Sequence, residues 1–316
     1  MTGCRRANQV DADLAGLLGS ERGLDHVGIA VRDLEAARET FQQRLGFGVL
    51  EDGKLPNGIQ NTNYYFEDST YLETLNAWDP DKVRWLVEFL GRGEGVAFAA
   101  LSTSSVDRTV AFLEGRGIKT SAPISGTIQT ASDQGPVGER WKTLYFTGSP
   151  LPSNPLFFIA YAQPQRQIDL RKFEDARKNG NIIKHPNTAV GLKGVWLAVP
   201  ELAPAVQAFA RVGLDSLGSF NEPRLGATGE IIAAGAGKIL LAAPTSSTGA
   251  IADELRRRGG PGLFGVSIEV THLPVAEGFV ARASVAPVAS ARGVLGISVW
   301  VPPAIAHGAW LEFFQP

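Results

Sequence analysis

The 316-residue chain has little sulfur and little histidine, with one cysteine, one methionine and four histidines. A single cysteine, Cys4, excludes an intramolecular disulfide framework and fits a reducing compartment, so we expect a cytoplasmic protein. The first 22 residues lack the long apolar segment of a signal peptide. No run reaches the ~18 uninterrupted apolar residues of a membrane helix. A secreted or membrane-spanning protein is therefore not expected.

The chain also lacks an excess of charge of either sign. It has 30 Lys and Arg against 32 Asp and Glu, for a formal net charge of −2. Because no basic patch stands out, nucleic acid is not an expected partner. The one short basic run, Arg256 to Arg258, is predicted to be the solvated C-terminal end of a helix. A hydrophobic content of 44% is typical of a globular protein, and the length suffices for two domains.

What the chain does contain is an internal repeat. Similar phrases begin at Leu24, Leu192 and Leu263, and they align without a gap through shared leucine and valine positions. Such self-similarity indicates that one supersecondary unit has been copied. The first copy carries a histidine, His26, where the other two copies carry glycine. This difference points to the first copy as the place where chemistry is most expected.

Each copy is predicted to be a strand that leads into a helix. Apolar residues alternate with small or polar ones up to Val31, which is the period of a strand. Asp33 is a suitable N-cap for a helix from Glu35 to Leu45. Extended segments are then predicted at residues 47–50, 62–66 and 71–76. The unit is therefore a β-α-β-β-β module.

Four modules of this kind are predicted, and the fold class is α+β. The second begins near Gly95, the third near Gly191 and the fourth near Gly262. The middle of the fourth is short, so one of its strands is expected to be missing or irregular. The predicted organisation is an N-terminal extension (1–22), a first domain of modules one and two (23–162), a linker (163–188) and a second, degenerate domain of modules three and four (189–316).

Four segments of the first domain carry a resemblance to a known family. They are Leu-Asp-His-Val at 24–27, Tyr-Leu-Glu-Thr-Leu at 71–75, Arg-Trp-Lys-Thr-Leu-Tyr-Phe at 140–146 and Pro-Leu-Phe-Phe-Ile at 155–159. In order and spacing they resemble the glyoxalase-like domain family of the vicinal oxygen chelate (VOC) superfamily, which includes glyoxalase I, extradiol dioxygenases and bleomycin-resistance proteins. The resemblance implies that paired modules enclose a cleft. It also implies a divalent metal held by a first-strand His or Gln and a last-strand Glu, here His26 and Glu73.

The residues themselves also make this pair notable. His26 shares a strand face with the small residues Gly28 and Ala30, which predicts open space over that face. Glu73 lies mid-strand among apolar neighbours, where a carboxylate seldom lies without a partner. An imidazole and a carboxylate suit Zn, Mn, Ni or Fe. The alternative is a hydrogen-bonded His–Glu pair that only stabilises the wall of the cleft.

Further ligands are less evident. Relatives often carry a histidine at the position of Gln60, so the resemblance implies that Gln60 is a weaker metal ligand or a substrate-binding amide. Asn61 and Asn63 are expected to line the same mouth or to form turns. In module two, Ala97 on the first strand and Phe158 and Ile159 on the last are expected at the ligand positions, and none of them can bind a metal.

Three other residues are candidates outside that pair. His185, just before module three, is either a general base that reaches the cleft or a residue that caps a turn. Trp141 and Lys142 lie in the family-like segment of module two. Trp141 is either an aromatic wall of the site or a packed core residue, and Lys142 either meets an anionic substrate or is simply exposed.

The second domain offers fewer candidates. Glu312 is the repeat of Glu73, and His307, on the preceding turn, is the nearby histidine. His272 aligns with the helix cap Asp33, so a structural role is expected. Extradiol dioxygenases of similar layout hold iron with two histidines and a glutamate in the second domain. Their first-strand histidines are absent here, and we therefore do not expect catechol cleavage by that arrangement.

Two functions remain open from the sequence. One is a glyoxalase-like lyase, isomerase or hydrolase in which a divalent ion polarises the oxygens of a carbonyl or enediol substrate. The other is a non-catalytic protein that binds or sequesters a small molecule, as bleomycin-resistance proteins do. In both cases the expected partner is a small molecule rather than a nucleic acid or a membrane, and a homodimer is one option for the assembly.

Overall fold

The computed structural model describes residues 2–19, 23–49, 51–127, 138–153, 155–162, 183–284 and 287–316. Within these ranges the strands form two sheets of eight strands each. Residues 163–182 of the predicted linker lie outside the described ranges. Among the helices that are described, none combines the length and the apolar character needed to cross a membrane.

The first sheet and its helices contain the N-terminal half of the chain. Its elements are α1 (Thr2–Leu17), β1 (Leu24–Ala30), α2 (Leu34–Arg38, continued by a π-helix over Glu39–Arg44), β2 (Glu51–Lys54), β3 (Ile59–Tyr65), β4 (Tyr71–Ala77), α3 (Arg84–Gly91), β5 (Gly95–Ser102), α4 (Val106–Glu114), β6 (Ile124–Gly126), β7 (Trp141–Tyr145) and β8 (Leu156–Tyr161).

The second sheet repeats this order of elements. They are β9 (Ala189–Ala198), α5 (Leu202–Arg211), β10 (Ser216–Glu222), a 3₁₀ turn (Pro223–Leu225), β11 (Ala227–Ala234), β12 (Gly237–Pro244), α6 (Ala250–Arg258), β13 (Gly262–Val270), α7 (Leu273–Ala283), β14 (Ala291–Arg292), β15 (Ile297–Val301) and β16 (Trp310–Gln315). In the fourth module the middle strand β14 has only two residues, which agrees with the irregularity expected there.

The strand order confirms the prediction of four paired modules in an α+β fold. It is β2-β3-β4-β1-β5-β8-β7-β6 in the first sheet and β10-β11-β12-β9-β13-β16-β15-β14 in the second. In each module the first strand pairs in parallel with the last, as β1 does with β4. The two modules of a sheet join through their antiparallel first strands, β1 with β5 and β9 with β13.

The helix that follows β1 begins where the sequence predicts. The Asp33 carboxylate accepts hydrogen bonds from the backbone N–H groups of Glu35 and Ala36, both at 3.0 Å. In module two, Ser105 caps α4 in the same way through the N–H of Arg108, at 3.4 Å. Because these caps satisfy donors that a helix start leaves unpaired, they fix where each strand must end. They also give a common reference point for comparing the modules.

One apolar core lies between the two sheets. It contains Val27 and Ile29 of β1, Phe41 of the π-helix, and Val195 and Leu197 of β9. The face of β1 opposite to His26 therefore packs on its own helix, as predicted, and also on the second sheet. The concave face of each sheet, which carries the candidate site residues, is turned away from this shared core.

The basic run at the end of α6 corrects one expectation. Arg256 is exposed, but Arg258 is buried. The Arg258 guanidinium donates to the carbonyl oxygen of Glu94 at 2.8 Å and to the Glu254 carboxylate at 3.2 Å, and it lies over the ring of Phe89 at 4.0 Å. The run is therefore not solvated throughout, because its last residue ties α6 to the first domain.

Candidate active site

The two central strands of the first sheet each contain a β-bulge. The extra residue is Asp25 in β1 and Ala97 in β5. A bulge re-aims the side chain that it carries. The Asp25 carboxylate consequently lies beside the ring of its chain neighbour His26, with Oδ1 at 2.7 Å from Nδ1. In an unbroken strand these two side chains would point to opposite faces.

His26 is held in a defined orientation. Its side chain is buried, and its ring stacks on that of Tyr71 with centroids 4.4 Å apart. Asp25 Oδ1 also accepts a hydrogen bond from the Tyr161 hydroxyl at 2.7 Å. Because an ionised carboxylate only accepts hydrogen bonds, His26 Nδ1 carries the proton in this pair. In the neutral ring, Nε2 is then the nitrogen with a free lone pair.

Glu73 belongs to the same group of side chains. It pairs in register with Gly28, two residues along β1 from His26. Its Oε2 accepts a hydrogen bond from Asn61 Nδ2 at 2.6 Å, and the same nitrogen lies 3.4 Å from Asn63 Oδ1. Burial raises the pKa of Glu73, while the nearby His26 and the Asn61 hydrogen bond act to lower it. Within the described residues, Asn61 Oδ1 is buried without a partner.

Gln60 is a correction to the predicted ligand set. Successive side chains alternate along β3, so Gln60 lies on the face opposite to Asn61 and Asn63. There it lines a shallow surface pocket of about 460 Å³ together with Arg38 and Asp52. The structure therefore does not bring Gln60 to His26 and Glu73, and an asparagine amide, that of Asn61, takes the place expected for it.

Trp141 and Lys142 lie on opposite faces of β7, because successive side chains alternate along a strand. Trp141 packs with the buried residues Phe157 and Ile159 on the concave face of the first sheet. Lys142 lies on the other face of β7, largely exposed, with Nζ at 3.9 Å from a Glu139 carboxylate oxygen. The structure thus supports the wall alternative for Trp141 and the exposed alternative for Lys142.

Module two supplies aromatic rings where module one supplies polar groups. Counted back from the helix caps, Phe98 occupies in module two the position that His26 has in module one. By the strand register, Phe157 occupies the position of Glu73. The expectation of Ala97 at the ligand position was one residue off, because Ala97 is the extra residue of the bulge.

These rings fill the space that was predicted to be open. A Cβ on Gly28 would lie 2.4 Å from Cζ of Phe98, so the Phe98 ring lies directly over that glycine. Ala30 is covered by Leu86 of α3. The expectation of open space over Gly28 and Ala30 is therefore wrong. Phe98 also contacts the His26 ring edge-on, with centroids 5.9 Å apart.

His185 is part of the shared core rather than of the cleft. Its Nδ1 accepts a hydrogen bond from the Gly48 N–H at 2.7 Å, and its Nε2 lies 2.9 Å from the Tyr65 carbonyl oxygen. Burial lowers its pKa to about 4, so the ring is neutral at pH 7. Its carbonyl accepts from the Thr188 N–H at 2.8 Å. Since both ring nitrogens are engaged, the geometry supports the turn-capping alternative and not a general base.

His307 does not join Glu312. Its Nδ1 lies 3.1 Å from Glu94 Oε2 and its Nε2 3.1 Å from Thr40 Oγ1, both in the first domain. His272 is the N-cap residue of α7, but its side chain makes no capping hydrogen bond. The second-domain candidates are therefore not brought together, and His307 bridges the two domains.

Glu312 lies in a packed aromatic interior. Its Oε2 accepts a hydrogen bond from Ser267 Oγ at 2.6 Å, and Ser267 Oγ accepts from Trp196 Nε1 at 2.7 Å. Arg224 Nη2 is 4.0 Å from Glu312 Oε1. Burial raises the pKa of Glu312. The rings that surround this network are Trp196, Phe220, Phe264, Trp300 and Trp310.

The donor set of the first cleft does not fit a transition-metal site with three protein ligands. In the part of the chain that is described, no cluster of three or more His, Cys, Asp or Glu side chains is arranged to hold a metal. His26 and Glu73 are two strong donors, but the third such group, the Asp25 carboxylate, is engaged with His26 Nδ1 and the Tyr161 hydroxyl, and Asn61 offers a neutral amide. In addition, Tyr71 stacks on one face of the buried His26 ring, and Phe98 contacts that ring nearly at a right angle.

Asp25 and Tyr161 are the site residues that the sequence pattern did not single out. A charged residue inside an apolar strand, directly before a histidine, was the available signal for Asp25. The period of two assigns it to the face opposite to His26, and only the bulge brings the two together. Tyr161 gave no signal of its own, because it is simply the last residue of β8.

Comparison with known proteins agrees with this fold. The model of the glyoxalase-like domain family matches residues 24–213. A hypothetical protein from Staphylococcus aureus shares 14% identity over 93% of this chain and 99% of its own, with a TM-score of 0.59. A mutant of 4-hydroxymandelate synthase from Streptomyces coelicolor shares 14% identity over 94% of this chain and 93% of its own, with a TM-score of 0.62. At this identity the two structures show a common fold only. No curated protein matches the sequence.

Proposed function

Because the chain belongs to the glyoxalase-like domain family, whose model covers residues 24–213, we propose that it is an enzyme that moves protons on a small carbonyl or enediol substrate in the first-domain cleft. The observation that carries the proposal is the hydrogen-bonded Asp25–His26 pair, with a buried imidazole, beside the Glu73 carboxyl. Two titratable groups whose surroundings differ in this way are suited to opposite roles, one as base and one as acid.

His26 is the base in this proposal. Its Nδ1–H is hydrogen-bonded to Asp25, which leaves Nε2 to accept a proton from the oxygen-bearing carbon next to the carbonyl. Asp25 holds the ring in the required tautomer and stabilises the imidazolium that forms. The Tyr161 hydroxyl, bonded to the same carboxylate oxygen, keeps Asp25 in place.

Glu73 is the acid. Burial raises its pKa and so favours the protonated carboxyl, which can donate its proton to the substrate carbonyl oxygen. The hydrogen bond from Asn61 fixes one carboxyl oxygen. The carbon thus loses a proton to His26 while the oxygen gains one from Glu73, and the product is an enediol. The imidazolium of His26 then returns a proton to carbon while the Glu73 carboxylate takes one O–H proton back. Return to the neighbouring carbon gives an isomerisation, and return to the same carbon gives exchange or inversion there.

The test is proton exchange in heavy water. α-Hydroxyacetophenone and hydroxyacetone both carry a CH₂ group that bears the hydroxyl and adjoins the carbonyl, and NMR follows the replacement of its protons by deuterium. We expect exchange well above the buffer rate with the native protein and loss of that excess in His26→Ala. Buffer-rate exchange by the native protein, or full activity of His26→Ala, contradicts the proposal. Exchange that appears only after addition of Zn, Mn, Ni or Fe would restore the metal-dependent form.

One observation favours a second candidate, a binding protein without catalysis. Phe98 and Phe157 occupy the module-two positions that correspond to His26 and Glu73, so half of the cleft is apolar. A protein of this kind would bind the hydroxyketones without accelerating the exchange. The same NMR experiment therefore separates the two candidates.

A further inference from the structure

A continuous series of aromatic rings leads from His26 to the surface. Phe98 and Phe157 both contact the His26 ring, at centroid distances of 5.9 and 5.8 Å, and contact each other at 5.4 Å. Phe98 in turn contacts Trp85 of α3 at 6.3 Å. Phe157 stacks on Tyr145 of β7 at 5.2 Å. Rings from four elements of the fold thus connect the His26 imidazole to the surface.

Burial decreases along this series toward solvent. His26 is 4% exposed and Phe157 is 8% exposed, whereas Tyr145 is 42% and Trp85 is 45% exposed. Exposed aromatic rings that adjoin a buried polar group are typical of a ligand-binding surface. Trp85 and Tyr145 are among the few large apolar side chains that the described part of the chain leaves exposed, and both adjoin the same pair of phenylalanines.

The polar and apolar groups occupy different sides of this cleft. Asp25, His26 and Glu73 come from module one, and Phe98 and Phe157 from module two. A substrate that fits both sides has its oxygens at one end and an apolar group at the other. Because rings gain from edge-to-face and offset contact with other rings, an aromatic group fits the apolar side better than a methyl group does.

Phe157 connects the exposed rim to the polar side. Its ring stacks on that of Tyr145 at 5.2 Å and contacts that of His26 at 5.8 Å. Lys142 lies on the other face of β7 and adds no positive charge to this rim. The rim therefore suits an uncharged ring.

We infer that the first cleft selects substrates in which an aryl group is attached to one of the two carbons that bear the vicinal oxygens, with Phe98 and Phe157 as specificity-determining residues. This inference rests on the proposed function, since it takes the polar side of the cleft as the place where the oxygens bind. Trp85 and Tyr145 extend the aryl subsite to the surface.

Calorimetric titration of the full chain with a matched pair of ligands tests the inference. α-Hydroxyacetophenone and hydroxyacetone share the same vicinal oxygens and differ only in phenyl against methyl. We expect the phenyl compound to bind at least about tenfold more tightly, because its ring is removed from water against other rings. Equal affinity for the two compounds, or no binding of the phenyl compound up to about 1 mM, overturns the inference.

Rim variants provide the control for folding, because exposed residues can be changed without loss of core packing. Trp85→Ala and Tyr145→Ala are each expected to weaken binding of the phenyl compound about three- to tenfold and to leave hydroxyacetone unchanged. Trp78→Ala is the matched control, since Trp78 is 38% exposed but lies beside Lys54 and Lys82 rather than in the ring series. A Trp78→Ala effect as large as that of Trp85→Ala counts against the inference.

Failure of the inference and failure of the proposed function give different results. Phenyl-selective binding without deuterium exchange would leave the aryl subsite standing and remove the enzyme proposal. Deuterium exchange into both hydroxyketones, together with equal affinity for them, would support the enzyme proposal and remove the aryl subsite. Phe98→Leu sharpens the test of the aryl subsite, because it is expected to lower the preference for the phenyl compound over hydroxyacetone several-fold.

Discussion

The two concave faces are built on the same plan but are filled differently. In β1 the first-strand position is His26, and the residue two places later is Gly28. In β9 the equivalent positions are Gly194 and Trp196. A small residue after the histidine leaves room for a neighbouring ring to approach the imidazole, whereas the buried indole of Trp196 itself fills the second face. The order of the large and the small side chain along the first strand thus distinguishes a candidate site from a packed core.

The buried carboxyls also distinguish the candidate site on the first face from the core on the second. Glu73 and Glu312 repeat each other in sequence, both are buried, and burial raises the pKa of both. Glu73 lies near an imidazole, while Glu312 is held by a serine hydroxyl, that of Ser267. A buried carboxyl becomes a candidate acid only where a base lies beside it, so the repeat alone does not predict a second site.

The largest expected difference between the two faces is in the rate of deuterium exchange after a substitution. His26→Ala should lower deuterium exchange into α-hydroxyacetophenone by about 10²- to 10⁴-fold, because it removes the general base. Glu312→Gln should stay within about twofold of the native rate, since general acid–base effects need contact with the substrate. NMR exchange rates check both variants. A large loss in Glu312→Gln would show that the second face takes part in the reaction.

The next largest difference is in the free energy of unfolding. Trp196→Ala should lower the free energy of unfolding by about 3–5 kcal/mol, because a fully buried indole is removed from a packed interior. Trp141→Ala, which truncates a half-buried wall of the first cleft, should cost less. Urea unfolding of both variants measures the difference. Equal losses would contradict the view that only the second face is a core.

A smaller effect concerns the bulges. Asp25→Asn should slow exchange by at least about 100-fold with little change in apparent affinity, because the amide no longer enforces the tautomer of His26. Lys193, at the irregular position of β9, pairs instead with Asp68 at the surface, with Nζ at 2.6 Å from Oδ2. Lys193→Ala is therefore the matched control and should exchange at the native rate. Unchanged exchange in Asp25→Asn would remove the positioning role.

The smallest effect is one of pH. Because burial raises the folded-state pKa of Glu73 above its ordinary value of 4.5, the folded state holds the proton more tightly than the unfolded state does. The stability that this contributes is present below about pH 4.5 and is lost as the pH rises through the folded-state pKa. Glu73→Gln should therefore gain stability relative to the native protein between pH 4 and pH 7.

Glu312→Gln provides the comparison for this pH effect, since the pKa of Glu312 is shifted in the same direction by burial. The urea midpoints of both variants, measured at the two pH values, should shift with the same sign. A Glu73→Gln variant that loses stability relative to the native protein as the pH rises would show that its folded-state pKa is lowered, contrary to this account.

The module layout could be predicted because it depends on local sequence patterns. The repeated phrase, the period of the strands and the Asp33 cap are local patterns, and they placed β1, β5 and the helix after β1 within a few residues. The second strand was expected at residues 47–50 but lies at Glu51–Lys54, because Phe47 is drawn into the shared core. Helix α3 was not anticipated at all.

The site was only half predictable, for geometric reasons. His26 and Glu73 were found through the repeat and the resemblance. The bulge at Asp25 and the position of Phe98 depend on pairing between strands that are distant in sequence, and a slip of one residue reverses the face. Gln60 was named as a ligand because relatives carry a histidine there, but the strand alternation directs Asn61 to Glu73 and Gln60 to the other face. No local pattern reports which of two neighbours faces the cleft when the register is set elsewhere.

The tryptophans offer the most direct test, because five of the six are divided between the two faces. Their indole N–H signals, assigned by single substitutions, can be followed in proton–nitrogen NMR spectra during titration with α-hydroxyacetophenone. We predict shifts for Trp85 and Trp141, which lie in the first cleft, and none for Trp196 and Trp300 in the second. Shifts of Trp196 and Trp300 with Trp85 and Trp141 unchanged would contradict the assignment of the first cleft as the functional site.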